Sequence, residues 1–388
     1  MADRASGVEG VRRANLGEVL RLVHHHGPRS RAVITAGTGL NRSTVADLVA
    51  DLAGRGLVVE LEPDATRRVG RPSPIVAPSE DVLAIAVNPE VDAIEIGAVT
   101  LGGRVRERVR EERDRLPTVD DVVSAVVRIV EGWQADALRG CRLVGIGVAV
   151  PGLVRADDGV VRLAPHLDWR DEDIGAALSE AAGVAVSVGN DATLGARAER
   201  LFGAARDHRD VVYLNGGASG IGGGLVLHGT LIEGAGGYAG EWGQVRPGIP
   251  AEEDRRTAGG VLEDEVNRAR LLQAAGLGPV DDAVLAETLA ASEDAVVLAE
   301  IDRQRRILAA ALANAVNVLN PSVIVLGGFL AILRDRDAAG LLADVRAQAL
   351  AAPAEDLEVR AAALGRDRLL IGAAEAAFAP LLADPARG

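Results

Sequence analysis

The side chains best suited to chemistry on a polyanion lie near the start of the chain. Arg42, Ser43 and Thr44 are consecutive, with Asp47 one helical turn on. A guanidinium forks onto the O6 and N7 acceptors of guanine. Hydroxyls reach a base edge or a phosphate, and a carboxylate accepts from cytosine N4 while repelling phosphate. A second set, Arg67, Arg68 and Arg71, stands in the string RRVGRPSP. Arginines on an extended Gly/Pro arm suit a narrow minor groove, where the negative potential is strongest. The chain contains no lysine, which excludes any mechanism built on a catalytic or phosphate-binding lysine. Its one cysteine, Cys141, excludes an internal disulfide and any cysteine-based zinc cluster, and reads as a small buried residue beside a strand over 143–150. His24, His25 and His26 read as the exposed end of a helix, with no carboxylate near them in sequence to complete a metal site.

Groups that read DNA need a rigid mount. Leu16, Val19, Leu20 and Val23 follow the spacing of an amphipathic helix that Gly27-Pro28 stops. Ser30 is placed to cap a second helix through Ala36, and Gly37-Thr38-Gly39 supplies a turn. A third helix starts at Asn41, buries Val45, Leu48, Val49 and Leu52, and ends at Gly56. Three helices with a glycine turn between the last two make a helix-turn-helix. Such a motif presents the N-terminal residues of its last helix, here Arg42, Ser43, Thr44 and Asp47, to base edges. Segments 57–61 and 75–77 can pair as a wing with Arg67, Arg68 and Arg71 at its tip. The competing use of the same module is a protein contact.

A net charge of −14 argues against a polyanion partner until its distribution is counted. Residues 1–80 hold 11 arginines against nine acidic residues, a net of +2, while the remainder carries −16. A mildly basic module is joined to a strongly acidic one. With 48% hydrophobic residues the 388-residue chain can bury two or three cores. No apolar run is long enough to span a membrane, and residues 1–10 lack the pattern of a secretory signal, so the expected place is the cytoplasm, with no membrane partner.

From Asp81 on, strand patterns over 82–87, 93–100, 105–109 and 143–150 alternate with a helical one over 119–138. A second cycle has strands over 211–214, 224–227 and 323–326 and a closing helix near 370–382. This is an α/β pattern of two similar lobes. Its motifs are GVAVPGLV (147–154), APHLDW (164–169), GNDATLGARAE (189–199), GASGIGGGLVLHGTLIEGAGGYAGEWGQ (217–244) and VIVLGGFL (323–330). In this order they resemble the ROK family, which joins sugar kinases to sugar-responsive repressors. The segment 12–60 and GRPS are similar to the helix-turn-helix and wing of its repressor branch. The resemblance covers nearly the whole chain. It implies a winged helix-turn-helix over 1–80 followed by a two-lobed, actin-like ATPase fold of the sugar-kinase kind. Its small lobe would span 81–195 with a C-terminal helix over 370–384, and a large, dimerising lobe 196–369.

The resemblance also implies roles. In the family's kinases the Asp that matches Asp191 takes a proton from the sugar hydroxyl that attacks ATP, although Asn190 and Asp191 suit plain sugar binding equally. Glu241 and Glu263 match sugar contacts, Gly152 matches a backbone contact, and Gln244 stands where the family has a histidine that binds both sugar and zinc. For Glu263 an ordinary exposed helix position is an equal reading. Three departures weigh against catalysis. Asn88-Pro89-Glu90 replaces the glycines and aspartate of a phosphate loop, so ATP and its Mg²⁺ are not expected to bind. Segment 255–263, RRTAGGVLE, has none of the family's zinc cysteines, so zinc is not expected either. Gln244 exchanges an imidazole for an amide, and with it the ligand itself can change. The Gly217–Gly224 hairpin and Gly327-Gly328 persist but serve packing as well as anions.

The leading expectation is a non-catalytic regulator, a repressor binding a pseudo-palindromic operator as a homodimer or dimer of dimers. A sugar-like ligand between the lobes would control it. The alternatives are a hexose kinase with Asp191 as base and a regulator without a small-molecule ligand.

Overall fold

The computed structural model describes residues 2–62, 73–217, 219–249 and 251–387. Its N-terminal module follows from local chemistry. α1 (Ala2–His26) runs further toward the N-terminus than its apolar spacing predicts, and buries the predicted stripe of Leu16, Val19, Leu20 and Val23. Ser30 starts α2 (Arg31–Thr38) by accepting from the Val33 N–H at 3.3 Å. Gly39 ends it at φ 68°, a conformation that costs a residue with a Cβ, so Gly37 and Thr38 complete the helix and Gly39 makes the turn. Asn41 Oδ1 accepts from the Thr44 N–H at 2.8 Å and begins α3 (Arg42–Gly54), which buries Val45, Leu48, Val49 and Leu52. The wing forms from Val58–Leu61 paired antiparallel with Ile75–Pro78, and Arg29–Ser30 adds a third strand to the latter.

The chain packs as two compact units. One comprises the described residues up to Gly152, Gly159–Gly189 and the segment from Leu369 on, so the winged module and the first lobe belong together. The other comprises Leu153–Asp158 and Asn190–Arg368.

The first unit is built on a five-stranded sheet ordered Val186–Asn190, Arg142–Val150, Val82–Pro89, Ala93–Thr100, Val105–Glu112. The second and third of these run parallel, and the last three form an antiparallel meander. Strands Val82–Pro89 and Ala93–Thr100 are buried throughout, as strands covered on both faces must be. The C-terminal helix (Arg368–Ala383) lies directly on this sheet. A Cβ on Gly147 would stand 1.8 Å from the Ala373 carbonyl oxygen, so helix and strand meet backbone to backbone and only glycine fits.

The second unit repeats the theme with strands ordered Thr230–Leu231, Ile221–Leu227, Val211–Gly216, Val323–Gly328, Glu358–Ala361, the last three parallel. Its largest core packs Val212, Leu214, Ile324 and Leu326 against the long helix Ala295–Leu319. α/β, two-lobed and preceded by a winged helix-turn-helix, the architecture is the one the motif order implies.

Candidate DNA-reading surface and ligand site

The cap geometry sets what α3 can offer. Asn41 Oδ1 accepts from both the Thr44 N–H and the Ser43 hydroxyl, the latter at 2.7 Å, which holds the first turn in shape. Arg42, Ser43 and Asp47 are exposed at that end, and Thr44 is half-buried. Other cations of the module are neutralised away from it: Arg12 and Arg55 both bind Asp51 at 2.7 Å, and Arg31 binds Glu60. Arg67, Arg68 and Arg71 fall outside the described residues.

The histidine run behaves differently from its sequence reading. His24 is fully buried, and its Nε2 lies 2.6 Å from Glu375 Oε1 on the C-terminal helix. The Gly102 N–H donates to His24 Nδ1 at 2.8 Å, so the ring proton sits on Nε2 and is donated to the carboxylate. His25 Nε2 stands 3.7 Å from the other carboxylate oxygen. Burial pushes the Glu375 carboxyl up, but the two imidazoles outweigh it and hold the group far below the usual carboxylate range. For His24 and His25 the expectation of exposure with no carboxylate partner is therefore overturned by a helix more than 300 residues away in sequence, while His26 is exposed as expected. Among the described residues this trio is the one set of metal-ligand type that converges. It makes a poor metal site, because a metal-bound imidazole keeps its proton on the other nitrogen, where the Gly102 N–H already points.

More bonds fix the module to the last turn of that helix and to the segment after it. The Arg21 guanidinium donates to the Leu382 carbonyl at 2.7 Å and that of Arg55 to the Ala386 carbonyl at 3.1 Å. Gly17 lets α1 approach Leu382, whose carbonyl would lie 2.7 Å from a Cβ there. Cys141, read as buried, is partly exposed, with Arg106 Nη1 3.3 Å from its sulfur. A loop position after Gly140, at the mouth of the strand and not inside it, explains the difference.

Five of the six ligand candidates lie in the second unit. Asn190 caps the helix Asp191–Phe202 by accepting from the Thr193 N–H at 2.9 Å, which places Asp191 at its positive N-terminal end. Glu241 precedes the single turn Trp242–Gln244, and Gly240 and Gly243 let that turn rest on the backbone of Gly223 and Ile221. Glu263 is half-buried. One oxygen accepts from the Ile221 N–H at 3.1 Å, the other from Gln244 Nε2 at 2.6 Å. It is thus not the ordinary exposed helix glutamate, and Gln244 is held by it. The surrounding protein, then the charges of Asp191 and Glu263, raise the Glu241 carboxyl above its usual range, so three carboxylates act on one another here. Such a group accepts hydroxyl hydrogens from a polyol without needing metal or nucleophile. Gly152, in the first unit, turns tightly with its N–H on the Val150 carbonyl at 2.9 Å and packs against Leu163 and Ala164.

Sequence reading missed Glu375, Glu265 and Arg303. Glu375 carried a signal: it is the one charged residue in the apolar run 369–382, LLIGAAEAAFAPLL, and a carboxylate there requires a buried partner.

A profile of the ROK family matches residues 84–379, more than half the chain. The chain belongs to the ROK family. Relatives within it include the xylose repressor of Bacillus subtilis strain 168, 30% identical over 237 residues. That match covers 61% of this chain and about three-fifths of the relative's own length, also 61%. The DNA-binding transcriptional dual regulator NagC of Escherichia coli K12 is 28% identical over 338 residues, 83% of this chain and 82% of that protein. Among solved structures, a ROK family transcriptional regulator homologous to the E. coli MLC protein superposes with a TM-score of 0.75 at 24% identity. It covers 96% of this chain and 98% of its own, which shows that the fold is shared from the winged module to the C-terminal helix. This ROK protein carries two α/β units, and no helix among the described residues is long and apolar enough to cross a membrane.

Proposed function

We propose that this ROK protein is a sugar-responsive, DNA-binding repressor of the cytoplasm that binds its ligand without phosphorylating it. The observation that carries the reading is the capped, exposed N-terminal turn of α3, with Arg42 and Ser43 presented beside a three-stranded wing. Relatives named as a xylose repressor and as a DNA-binding transcriptional dual regulator support it, the latter aligned over 83% of the chain. Asn190, Asp191, Glu241, Gln244 and Glu263 supply a polar constellation suited to a sugar or sugar derivative. Two copies, or a dimer of dimers, place two α3 helices on a pseudo-palindromic operator, and the second unit supplies the dimer surface.

Loss of phosphoryl transfer rests on the strand end at Asn88. Asn88 is buried and its amide donates to Glu90 at 2.8 Å, while Glu90 is paired with Arg110, so the stretch is closed on itself. Pro89 offers no N–H to a phosphate. We accordingly assign neither ATP nor zinc as a cofactor.

The test is an anisotropy titration of the purified protein against DNA flanking its own gene, with xylose, N-acetylglucosamine and a wider sugar panel added. Binding tighter than to random duplex, relieved by a sugar, is expected. ADP release on the same panel that Asp191→Asn abolishes would establish a kinase in its place.

A further inference from the structure

The segment between Gln244 and Glu263 has almost no regular structure, yet it must hold those two side chains 2.6 Å apart. An eighteen-residue, largely irregular stretch needs an anchor, and the buried groups around it name one. The helix Leu262–Glu265 is a single turn carrying two glutamates with opposite duties. Glu263 faces Gln244 and the Ile221 N–H. Glu265, fully buried, faces the long helix Ala295–Leu319 and its Arg303, itself 2% exposed.

The hydrogen bonding of this pair is complete. Glu265 accepts from the backbone N–H groups of Arg256 at 3.0 Å and Thr257 at 2.9 Å, and from Arg303 Nη1 at 3.1 Å. Arg303 uses all five of its N–H donors. Nη1 also donates to the Asp254 carbonyl at 2.8 Å, Nη2 to the Glu265 carbonyl and to Glu300 Oε1, each at 2.7 Å, and Nε to Glu300 Oε2 at 2.9 Å. Flanking bonds extend the grip: Arg306 forks onto Asp254, Arg255 donates to the Ile249 carbonyl, and Gln304 bonds both backbone groups of Asn267. A buried ion pair is justified energetically only when its remaining donors and acceptors are satisfied, and here they are.

We infer that Glu265 and Arg303 are the positioning residues of the ligand loop, an ion-paired staple that holds residues 254–257 in place with no metal. The donor set fits this and does not fit zinc. Segment 255–263 contains no thiol or imidazole, and Gln244 offers only an amide. What points inward from the loop at 256 and 257 is N–H, which binds an anion and cannot ligate a metal. The cation at the centre is the guanidinium of Arg303. Its consequence for Glu263 and Gln244 rests on the ligand reading above, whereas the staple itself does not.

Hydrogen exchange by mass spectrometry on the full-length protein tests it, comparing wild type, Glu265→Gln, Arg303→Met and Arg303→Lys. Peptides spanning 250–262 are expected to be protected in wild type, unchanged by a zinc chelator or by added zinc. In Glu265→Gln and Arg303→Met they exchange at least tenfold faster, with the C-terminal helix unaffected, and Arg303→Lys recovers part of the protection. Chelation that accelerates exchange of the wild-type loop overturns the inference, and this arm needs no variant to fold. Exchange in Glu265→Gln equal to wild type overturns it as well. Where wild type releases operator with xylose or N-acetylglucosamine, Glu265→Gln needs at least tenfold more sugar at unchanged sugar-free affinity. A wild type deaf to the sugar panel removes the ligand reading and leaves the exchange result to decide the staple.

Discussion

At the scale of single residues, two carboxylates of opposite character define what this protein spends its charge on. Glu375 is held ionised by His24 and His25 against the pull of burial. A carboxyl depressed below its ordinary 4.5 adds stability that is complete above that value and is lost as pH falls below it. Replacing Glu375 by Gln therefore costs about 1.5–3 kcal/mol at neutral pH, the worth of a hydrogen bond to a charged group. Urea midpoints of variant and wild type should converge as the solution is acidified below the carboxylate range. Glu241 has the reverse sign. Its carboxyl is raised, so its charge opposes folding at neutral pH and ceases to do so as pH falls through the raised value. Glu241→Gln should melt higher than wild type at pH 7 and lose this advantage in acid, while operator release by sugar disappears. A lower melting temperature at pH 7 would show that Glu241 is a structural residue.

At the scale of elements, α3 is the part that local rules specify most fully. Asn41 as cap, the stripe Val45, Leu48, Val49, Leu52, and the left-handed Gly56 are each short-range signals, and the structure places all of them as read. Asn41→Ala should lower stability by about 0.5–2 kcal/mol, the ordinary worth of an N-cap, and weaken operator binding beyond that because it also frees Ser43. Arg42→Ala should leave the melting temperature unchanged and cost about 1–3 kcal/mol of operator affinity, read as a relaxed preference at one base pair. What sequence reading could not supply were contacts between elements distant in the chain. Alternating strands, glycine turns and caps are written within a dozen residues. Glu375, which pairs with His24, and Glu265, which pairs with Arg303, lie 351 and 38 residues from them, and no periodicity relates them. Cys141 reads as buried for a related reason: an apolar residue type beside a buried strand does not fix its own exposure.

At the scale of the whole molecule, the net charge of −14 and a reading helix for DNA are compatible because the acidic surplus belongs to residues beyond 80. Operator affinity should then fall steeply with salt, and each phosphate-contacting arginine removed should lower the slope of log affinity against log salt by about 1. An unchanged slope after removing Arg67, Arg68 and Arg71 together would exclude the wing from the phosphate contact. Mounting the winged module directly on the first unit also matters for control, since a module on a loose tether cannot report a change elsewhere. Here the mount is a helix packed backbone to backbone on the sheet at Gly147.

That mount has a consequence in time as well as in space. α1 is made before the segment it docks on: Glu375, the Leu382 carbonyl and the Ala386 carbonyl, which receive His24, Arg21 and Arg55, lie more than 300 residues later in the chain. During synthesis the winged module therefore lacks these docking partners until the closing helix emerges. A copy lacking that helix is expected to lose the bonds that fix the orientation of the winged module.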